Sequence, residues 1–252
     1  MLKFIFYFLS YFKTSNLSPN GSYPAIKIEA IESIKLPLPP LNIQQQIIHE
    51  ITAIEQNGQK VEREIRGYND EISHLIEKSQ IGGKRYKFTD LIAEIDIEKL
   101  VKIPNNEILM IGKYPVITQE QEFISGYTNE ETGLITDIPL IVFGDHTLSL
   151  KYIDFPFFFG ADGIKLIKTN DIVNAKFFYY LLKSQIQTIA SGKYQRHYSL
   201  LKEMIFTIPN QDNQESVMRD VEALENKITE LNFVMTNINI EKGEVISKYL
   251  VL

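Results

Sequence analysis

The sequence predicts a mixed α/β (α+β) globular domain combined with two long antiparallel coiled-coil helices. Segments 41–80 and 211–252 place apolar residues at alternating steps of four and three, which is the spacing of a coiled-coil seam. The stretch between them, 81–210, mixes short strand-like and helix-like runs separated by glycines. The residues that open the two helices also resemble each other, so the chain contains a long internal repeat.

A proline-rich stretch leads into the first predicted helix. Its prolines favour extended backbone, and Asn42 then offers an N-cap. The seam residues are Ile47, Ile51, Ile54, Gly58, Val61, Ile65, Tyr68, Ile72 and Leu75. Asn57-Gly58 could form a turn, and Gly58 costs about 1 kcal/mol inside a helix. The seam keeps its phase across this dipeptide, which favours one continuous helix of roughly 58 Å.

The second predicted helix repeats the first at an offset of 170 residues, which aligns Pro39 with Pro209 and Gln44 with Gln214. Its seam residues are Val217, Val221, Leu224, Ile228, Leu231, Met235, Ile238, Val245 and Tyr249, with Lys242 as the polar exception. Further upstream, KFIFYFL at 3–9 resembles KFFYYLL at 176–182. The shared seam favours two helices that pack on each other. The alternative is two amphipathic helices that pack on a globular core.

The repeat divides the chain into four predicted segments. Residues 1–40 are expected to be the remnant end of a first domain, and residues 81–210 a complete domain of the same kind. Residues 41–80 and 211–252 are the two spacer helices. The chain is therefore expected to begin in the middle of a repeat unit.

Composition excludes several classes of chemistry. The chain has no cysteine, which excludes disulfides, thiolate metal sites and cysteine nucleophiles. The four histidines do not lie at metal-ligand spacing, so no metal is expected. A formal net charge of −6 argues against a protein that coats nucleic acid without sequence preference, but it leaves room for a local basic face. The apolar N-terminal run is about 12 residues, too short to span a bilayer, and a cytoplasmic protein is expected.

The sequence also contains none of the common catalytic motifs. It has no glycine-rich nucleotide loop, no tetrapeptide of the adenine methyltransferase type and no nuclease cluster of carboxylates and lysine. Asp145-His146 suggests an acid–base pair, but no serine or cysteine nucleophile pattern accompanies it. We therefore expect no catalysis and no cofactor in this chain.

Three stretches carry a resemblance to a known family. They are LPLPPLNIQQQIIHEI at 36–51 with the long helix that follows, YPVITQEQEFISGYTN at 114–129, and IVFGDHTLSLKYIDFPFFFGADGIKLI at 141–167. The chain resembles the specificity (S) subunit of type I restriction–modification enzymes. The resemblance implies that 81–210 is a target recognition domain that reads half of a bipartite double-stranded DNA sequence. It also implies that the helices set the spacing between half-sites.

The same resemblance implies a set of partners. Methyltransferase (M) subunits, which use S-adenosylmethionine, would dock on the helices, and a separate restriction (R) subunit would cut DNA. A complete S subunit has two recognition domains, so this chain departs from the pattern in its first 40 residues. It could be a half subunit, a gene fragment or a chain that pairs with a second S chain.

Three predicted loops hold side chains suited to reading DNA. Arginine and lysine suit guanine, and asparagine and glutamine suit adenine. The candidates are Lys113, Gln119, Tyr127 and Asn129 in loop 113–129, His146 and Lys151, with Thr147, in loop 144–151, and Lys193, Gln195, Arg196, His197 and Tyr198 in loop 191–199. The third loop is the strongest candidate for contacting DNA because it concentrates cations beside aromatic side chains. Two glutamates within the first loop and two directly after it would repel phosphate: Glu120, Glu122, Glu130 and Glu131. Ordinary solvated surface is the alternative for each loop.

The remaining elements of the domain are expected to form its core. Strands are predicted at 138–143, 154–159 and 164–168, and Thr169-Asn170-Asp171 is predicted to start a helix that includes 174–190. The aromatic residues of this helix are Phe177, Phe178, Tyr179 and Tyr180, and they suit a core better than a base-stacking surface.

Two other functions remain open from the sequence. One is a coiled-coil protein-interaction module that does not bind DNA. The other is the recognition part of a fused restriction–methylation enzyme.

Overall fold

The computed structural model describes residues 2–11, 28–96, 100–160, 163–189 and 197–249. The helices are α1 (Leu2–Tyr11), α2 (Ile28–Glu32), α3 (Leu41–Ser79), α4 (Ala175–Ile189), α5 (His197–Glu203) and α6 (Gln211–Tyr249). The strands are β1 (Lys84–Lys87), β2 (Ile92–Ala93), β3 (Lys102–Ile103), β4 (Tyr114–Ile117), β5 (Gly126–Thr128), β6 (Leu140–Gly144), β7 (Leu150–Ile153), β8 (Phe158–Gly160), β9 (Ile164–Thr169) and β10 (Ile205–Ile208). The predicted fold class, a mixed α/β domain with two long helices, is confirmed.

The chain forms two compact units. Unit 1 consists of Met1–Asn69 and Glu225–Leu252, and unit 2 consists of Asp70–Leu224. The helices α3 and α6 are each 39 residues long and contribute to both units. The structure thus groups the start of α6 and the end of α3 with the predicted recognition domain.

In unit 1, the parts of α3 and α6 that belong to it run antiparallel. Near the start of α3, Glu50 accepts a hydrogen bond from the Tyr249 hydroxyl at 2.5 Å and forms an ion pair with Lys248 at 3.3 Å. Further along α3, Lys227 lies over the ring of Tyr68 at 5.1 Å from its centroid. The Tyr249 hydrogen bond, assisted by Lys248, holds the pKa of Glu50 below its ordinary value. The order of these contacts reverses along the second helix, as an antiparallel pair requires.

All of the predicted seam residues are at least half-buried. Ile47, Ile51, Val61, Ile72, Val217, Val221, Leu224 and Ile238 are buried, and Ile54, Ile65, Leu75, Ile228, Leu231, Met235 and Val245 are half-buried. The helix α3 continues through Gly58, where an added Cβ would meet Ile238 at 3.6 Å, an ordinary contact. The role of the seam residues in docking a partner stays a prediction, because the contacts that bury them lie within this chain.

The two long helices begin in the same way. In unit 1, the Gln44 amide nitrogen Nε2 donates to the Pro39 carbonyl at 2.9 Å. In unit 2, Gln214 Nε2 donates to the Pro209 carbonyl at the same 2.9 Å. The sequence repeat is therefore also a repeat of a specific contact, a proline–glutamine clasp at each helix start.

The cap predicted for α3 is wrong. The carbonyl of Pro40 accepts the backbone N–H groups of Ile43 at 2.9 Å and Gln44 at 3.1 Å. The helix therefore begins at Leu41, and Asn42 lies inside its first turn. Asn210 takes the place of Pro40 at the start of α6, where its carbonyl accepts the N–H of Gln214 at 3.0 Å.

The described part of unit 2 contains three sheets. One pairs β1 with β10, the second has the order β2-β9-β6-β7, and the third has the order β3-β8-β4-β5. Every residue of β6 is buried, so this strand lies at the centre of the domain. The helix α4 packs on β6, β7 and β9. The strands predicted at 138–143 and 164–168 correspond to β6 and β9, whereas only the end of 154–159 forms strand β8.

The predicted start of α4 is also wrong. Asn174 accepts the N–H groups of Lys176 at 2.9 Å and Phe177 at 3.0 Å through its side-chain oxygen, and therefore caps the helix. Asn170 instead accepts the N–H of Ile172 at 3.0 Å and closes a turn. Of the four aromatic residues predicted to lie in the core, Phe177 and Phe178 are buried, whereas Tyr179 and Tyr180 are half-buried.

None of the helices in the described ranges is both long enough and apolar enough to cross a membrane.

Candidate nucleic-acid interface

The buried Asp145 joins three segments of unit 2. Its backbone N–H donates to the Gly163 carbonyl at 2.7 Å, just before β9. Its side-chain Oδ1 accepts the N–H of Tyr198 at 2.8 Å, and its carbonyl accepts the N–H of His197 at 3.3 Å. We call this meeting point of the turn 144–147, Gly163 and the start of α5 the Asp145 junction. It fixes the first residues of α5 against the end of the central strand.

Two glycines allow the junction to pack closely. A Cβ on Gly144 would collide with the hydroxyls of Thr147 and Ser149, and Gly163 has a φ of +70° and lies against the Gln119 side chain. The Thr147 hydroxyl also donates to the Gln119 carbonyl at 2.6 Å. Gln119 is thereby held at the junction.

Members of all three predicted loops therefore come together. Gln119 belongs to the first, His146 and Thr147 to the second, and His197 and Tyr198 to the third. His197 and Tyr198 were predicted in a loop, but they open α5. Lys193, Gln195 and Arg196 lie outside the described residues, so their contribution stays a prediction.

Tyr198 serves mainly in packing. Its ring meets Phe88 edge-on at 5.9 Å and lies 6.1 Å from Phe143, while Lys165 and Lys202 lie over it at 5.8 and 5.2 Å. Burial, assisted by the Asp145 carboxylate, raises the pKa of Tyr198 above its ordinary value. This placement argues against Tyr198 as a base-stacking group.

Lys151 does not lie on the surface as predicted. Only 4% of it is exposed, and its Nζ donates to the Thr118 carbonyl at 3.0 Å and to the Glu122 carbonyl. Burial lowers the pKa of Lys151, opposed by the charges of Glu122 and Glu120. A side chain used in this way cannot contact DNA, so the prediction for Lys151 is wrong.

The other candidates of the first loop lie away from the junction. Lys113 precedes β4 and Gln119 follows it, so their backbones lie roughly 20 Å apart along an extended strand. Lys113 forms an ion pair with Glu131 at 2.7 Å, which raises the pKa of Lys113, and its N–H donates to the Asn129 side chain at 3.0 Å. Tyr127 is half-buried in β5. Lys113 and Asn129 thus form a separate exposed edge with acidic neighbours.

Sequence reasoning missed two lysines beside the junction. A cleft of about 640 Å³ opens between β2, β3, β8 and β9, and Tyr198 lies in its wall. Lys102 and Lys165 line this cleft, with Glu94 as the acidic residue among them. Lysine suits a phosphate as a point charge. Their alternation with apolar residues in short strands was the signal that could have identified them.

Three buried polar atoms near the junction have no hydrogen-bond partner in the described part of the chain: Gln119 Oε1, Ser149 Oγ and His197 Nδ1. The same part of the chain contains no cluster of three or more metal-ligating side chains. These three atoms are enclosed, whereas His146 and Lys102 are exposed at the site and suit hydrogen bonding to bases and phosphates.

The hydrogen bonds of the Asp145 junction should contribute to the free energy of unfolding. We expect Asp145→Ala to lower the free energy of unfolding by about 1–3 kcal/mol, because the Tyr198 N–H loses its buried acceptor. Urea unfolding followed by circular dichroism measures this. Asp154→Ala, at an exposed carboxylate after β7, is the matched control and should unfold like the parent chain. Equal unfolding of both variants would contradict a structural role for Asp145.

Comparison with known proteins supplies the context for this site. Residues 1–66 match the family described as Type I restriction modification DNA specificity domain. The type I restriction enzyme EcoR124I/EcoR124II specificity subunit of Escherichia coli is 30% identical over 139 residues, which cover 52% of this chain and 34% of that protein. The alignment thus spans about a third of that relative's length.

Solved structures show the same fold. The S subunit of a type I restriction–modification system from M. genitalium matches with a TM-score of 0.60 and 17% identity, over 98% of this chain and 72% of that chain. A structure that describes assembly and conformational transition of the type I R-M system matches with a TM-score of 0.51 and 12% identity, over 98% and 70%. The resemblance to type I specificity subunits inferred from the sequence is confirmed.

Proposed function

We propose that this chain, which resembles the specificity subunits of type I restriction–modification enzymes, is the non-catalytic DNA-reading subunit of such a complex. Unit 2 reads one half of a bipartite target in double-stranded DNA. The helices α3 and α6 dock methyltransferase subunits, which bring S-adenosylmethionine, and a restriction subunit cuts. The chain needs no cofactor of its own and acts in the cytoplasm, where the DNA lies.

The observation that carries DNA reading is the convergence at the Asp145 junction. Gln119, His146 and His197 come from distant parts of the sequence and meet beside a cleft that holds Lys102 and Lys165. Side chains that hydrogen-bond base edges and cations that suit phosphates are thus adjacent. Base contacts specify a sequence while phosphate contacts position the protein.

Docking of a protein partner is supported by the outer face of α6 in unit 1. Phe233 and Ile240 are 68% and 55% exposed, and their spacing of seven residues places them on one helix face. The apolar residue Ile238 is already buried within the chain. An exposed apolar stripe on a helix is typical of an interaction surface.

The decisive experiment is a binding titration with duplex DNA, with and without the partner methyltransferase, across a salt series. We expect the assembled chain to discriminate target from scrambled DNA, with affinity that falls as salt rises. A chain that binds the methyltransferase but no DNA at any salt would instead be a coiled-coil interaction module. Transfer of methyl groups or cleavage of DNA by the chain alone would contradict a non-catalytic role.

The basic residues before α5 give a sharper prediction. If Arg196 reads guanine, Arg196→Ala costs about 1–3 kcal/mol on the target and relaxes specificity at one base pair. If Lys193 contacts phosphate, Lys193→Ala weakens binding to all sequences and lowers the salt slope by about 1. Lys60→Ala, at an exposed position on α3 in unit 1, is the control. Parental affinity and slope in both variants would show that these residues are ordinary surface.

A further inference from the structure

We propose that Lys151 is a positioning residue, which fixes the backbone of the loop 118–125 so that this loop can take part in sequence readout. We call this segment the β4–β5 loop. The proposal rests on the proposed function for the readout, whereas the fixing of the loop can be tested on its own. Under this proposal, Lys151 does not contact DNA itself but supports the loop that does.

The contacts of Lys151 reach from one sheet to the other. Lys151 lies in β7, whose register pairs it with Val142 of the central strand. Its ammonium donates to the carbonyls of Thr118 and Glu122 in the β4–β5 loop, which belongs to the sheet β3-β8-β4-β5. One buried cation therefore ties the loop to β7, the strand that pairs with the fully buried β6.

A second contact from the same hairpin supports the first. Thr147, in the turn between β6 and β7, donates to the Gln119 carbonyl at 2.6 Å. Thr147 and Lys151 thus bind three carbonyls of the β4–β5 loop, those of Thr118, Gln119 and Glu122. The base of the loop is closed by a hydrogen bond between the Thr118 and Ser125 hydroxyls at 2.6 Å. The two loops that sequence analysis treated separately form one connected element.

The remainder of the loop faces outward. Glu120, Gln121, Glu122, Phe123 and Ile124 are exposed, so the loop presents its side chains to solvent while its carbonyls point at the hairpin. An ammonium donor is required for this arrangement, because three N–H groups on a long side chain can reach two carbonyls at once. The charge assists these hydrogen bonds, which are stronger than neutral ones. The loop thus has a fixed backbone with exposed side chains, as a reading element needs.

The test compares Lys151→Met with the parent chain, assembled with its methyltransferase. Methionine keeps the apolar stem and loses the donors. We expect amide hydrogen exchange in residues 118–125 to become on the order of tenfold faster. We also expect discrimination between the target and single-base-pair variants to fall by about tenfold. The salt slope should stay unchanged, because a buried lysine neutralises no phosphate.

Two variants keep the result interpretable. Lys84→Met removes an exposed lysine in the separate sheet β1-β10 of the same unit and should leave exchange in 118–125 unaltered. Thr147→Val removes the second contact at an exposed position, and should also speed exchange in the loop if Lys151→Met fails to fold.

Each outcome is decisive. Parental exchange in folded Lys151→Met, or parental exchange in Thr147→Val where only that variant folds, would overturn the fixing of the loop. A salt slope lowered by about 1 in Lys151→Met would mean a direct phosphate contact and would also overturn it. Faster exchange with unchanged discrimination would overturn the role in readout. If the parent assembly does not discriminate DNA at all, the proposed function fails, and the exchange result still decides whether Lys151 fixes the loop.

Discussion

Ile51→Asp is expected to unfold unit 1. Ile51 is completely buried in α3 and packs in a cluster with Phe4, Phe8 and Ile246. Removing a buried isoleucine side chain alone costs about 2–5 kcal/mol, and the aspartate adds the cost of an unpaired buried charge. We therefore expect a loss of at least about 4 kcal/mol. Urea unfolding followed at 222 nm measures it, and a methyltransferase pull-down should fail in parallel.

The matched control for this prediction lies on the same helix. Gln56→Asp introduces the same charge at an exposed position of α3. It should change the free energy of unfolding by less than about 0.5 kcal/mol. Similar losses in both variants would show that added charge, rather than the buried cluster, governs the stability of this unit.

Gln214→Met is expected to have the second large effect. Gln214 is 1% exposed, and its Nε2 donates to the carbonyls of Pro209 at 2.9 Å and Ile172 at 3.1 Å. Its Oε1 accepts the N–H of Asn174 at 2.8 Å, the residue that caps α4. Methionine has a similar shape but leaves the Pro209 carbonyl and the Asn174 N–H without partners, whereas the Ile172 carbonyl keeps a hydrogen bond from Gln211 Nε2 at 3.3 Å. We therefore expect a loss of about 2–5 kcal/mol in unit 2. Denaturant unfolding and hydrogen exchange at the start of α4 measure it.

The internal repeat supplies the control for this prediction. Gln44 occupies the equivalent position in unit 1 and makes the equivalent bond to Pro39. It is 7% exposed, and its Oε1 has no partner within the described ranges. Gln44→Met thus loses one hydrogen bond and removes one buried orphan acceptor, so its cost should be about 1 kcal/mol or less. Equal losses at both positions would contradict the importance of the three-way contact of Gln214.

The long helices could be predicted from the sequence because their signals are local. Apolar spacing along one helix reports which residues are buried, and it correctly carried α3 through Gly58. Helix starts were harder, since several residues that can cap compete within a short stretch. Asn42 and Asn170 both looked suitable, yet a Pro40 carbonyl and the Asn174 side chain take those roles. Which residue caps depends on where the preceding chain is anchored.

The site could be predicted only in part. The loops were identified by residue type, but their convergence depends on hydrogen bonds between residues far apart, such as Asp145 and Tyr198, separated by 53 positions. Lys151 was wrongly predicted to be exposed, because the prediction relied on the charge of the residue and not on its position in the strand. Lys151 lies two positions before Ile153 in β7, and since side chains alternate between the faces of a strand, both point to the same buried side. That alternation was the available signal.

The pairing of β1 with β10 has a practical consequence for exchanging the globular part of unit 2. Its register places Lys84 opposite Ile208, so the chain enters and leaves the globular part of unit 2 at neighbouring points. The polypeptide between them is an insert whose two ends lie side by side and are held together by the two-stranded sheet β1-β10. Such an insert can be transplanted between relatives by cutting at two sites that lie side by side, without redesigning either helix. The two long helices would then carry a different inserted domain.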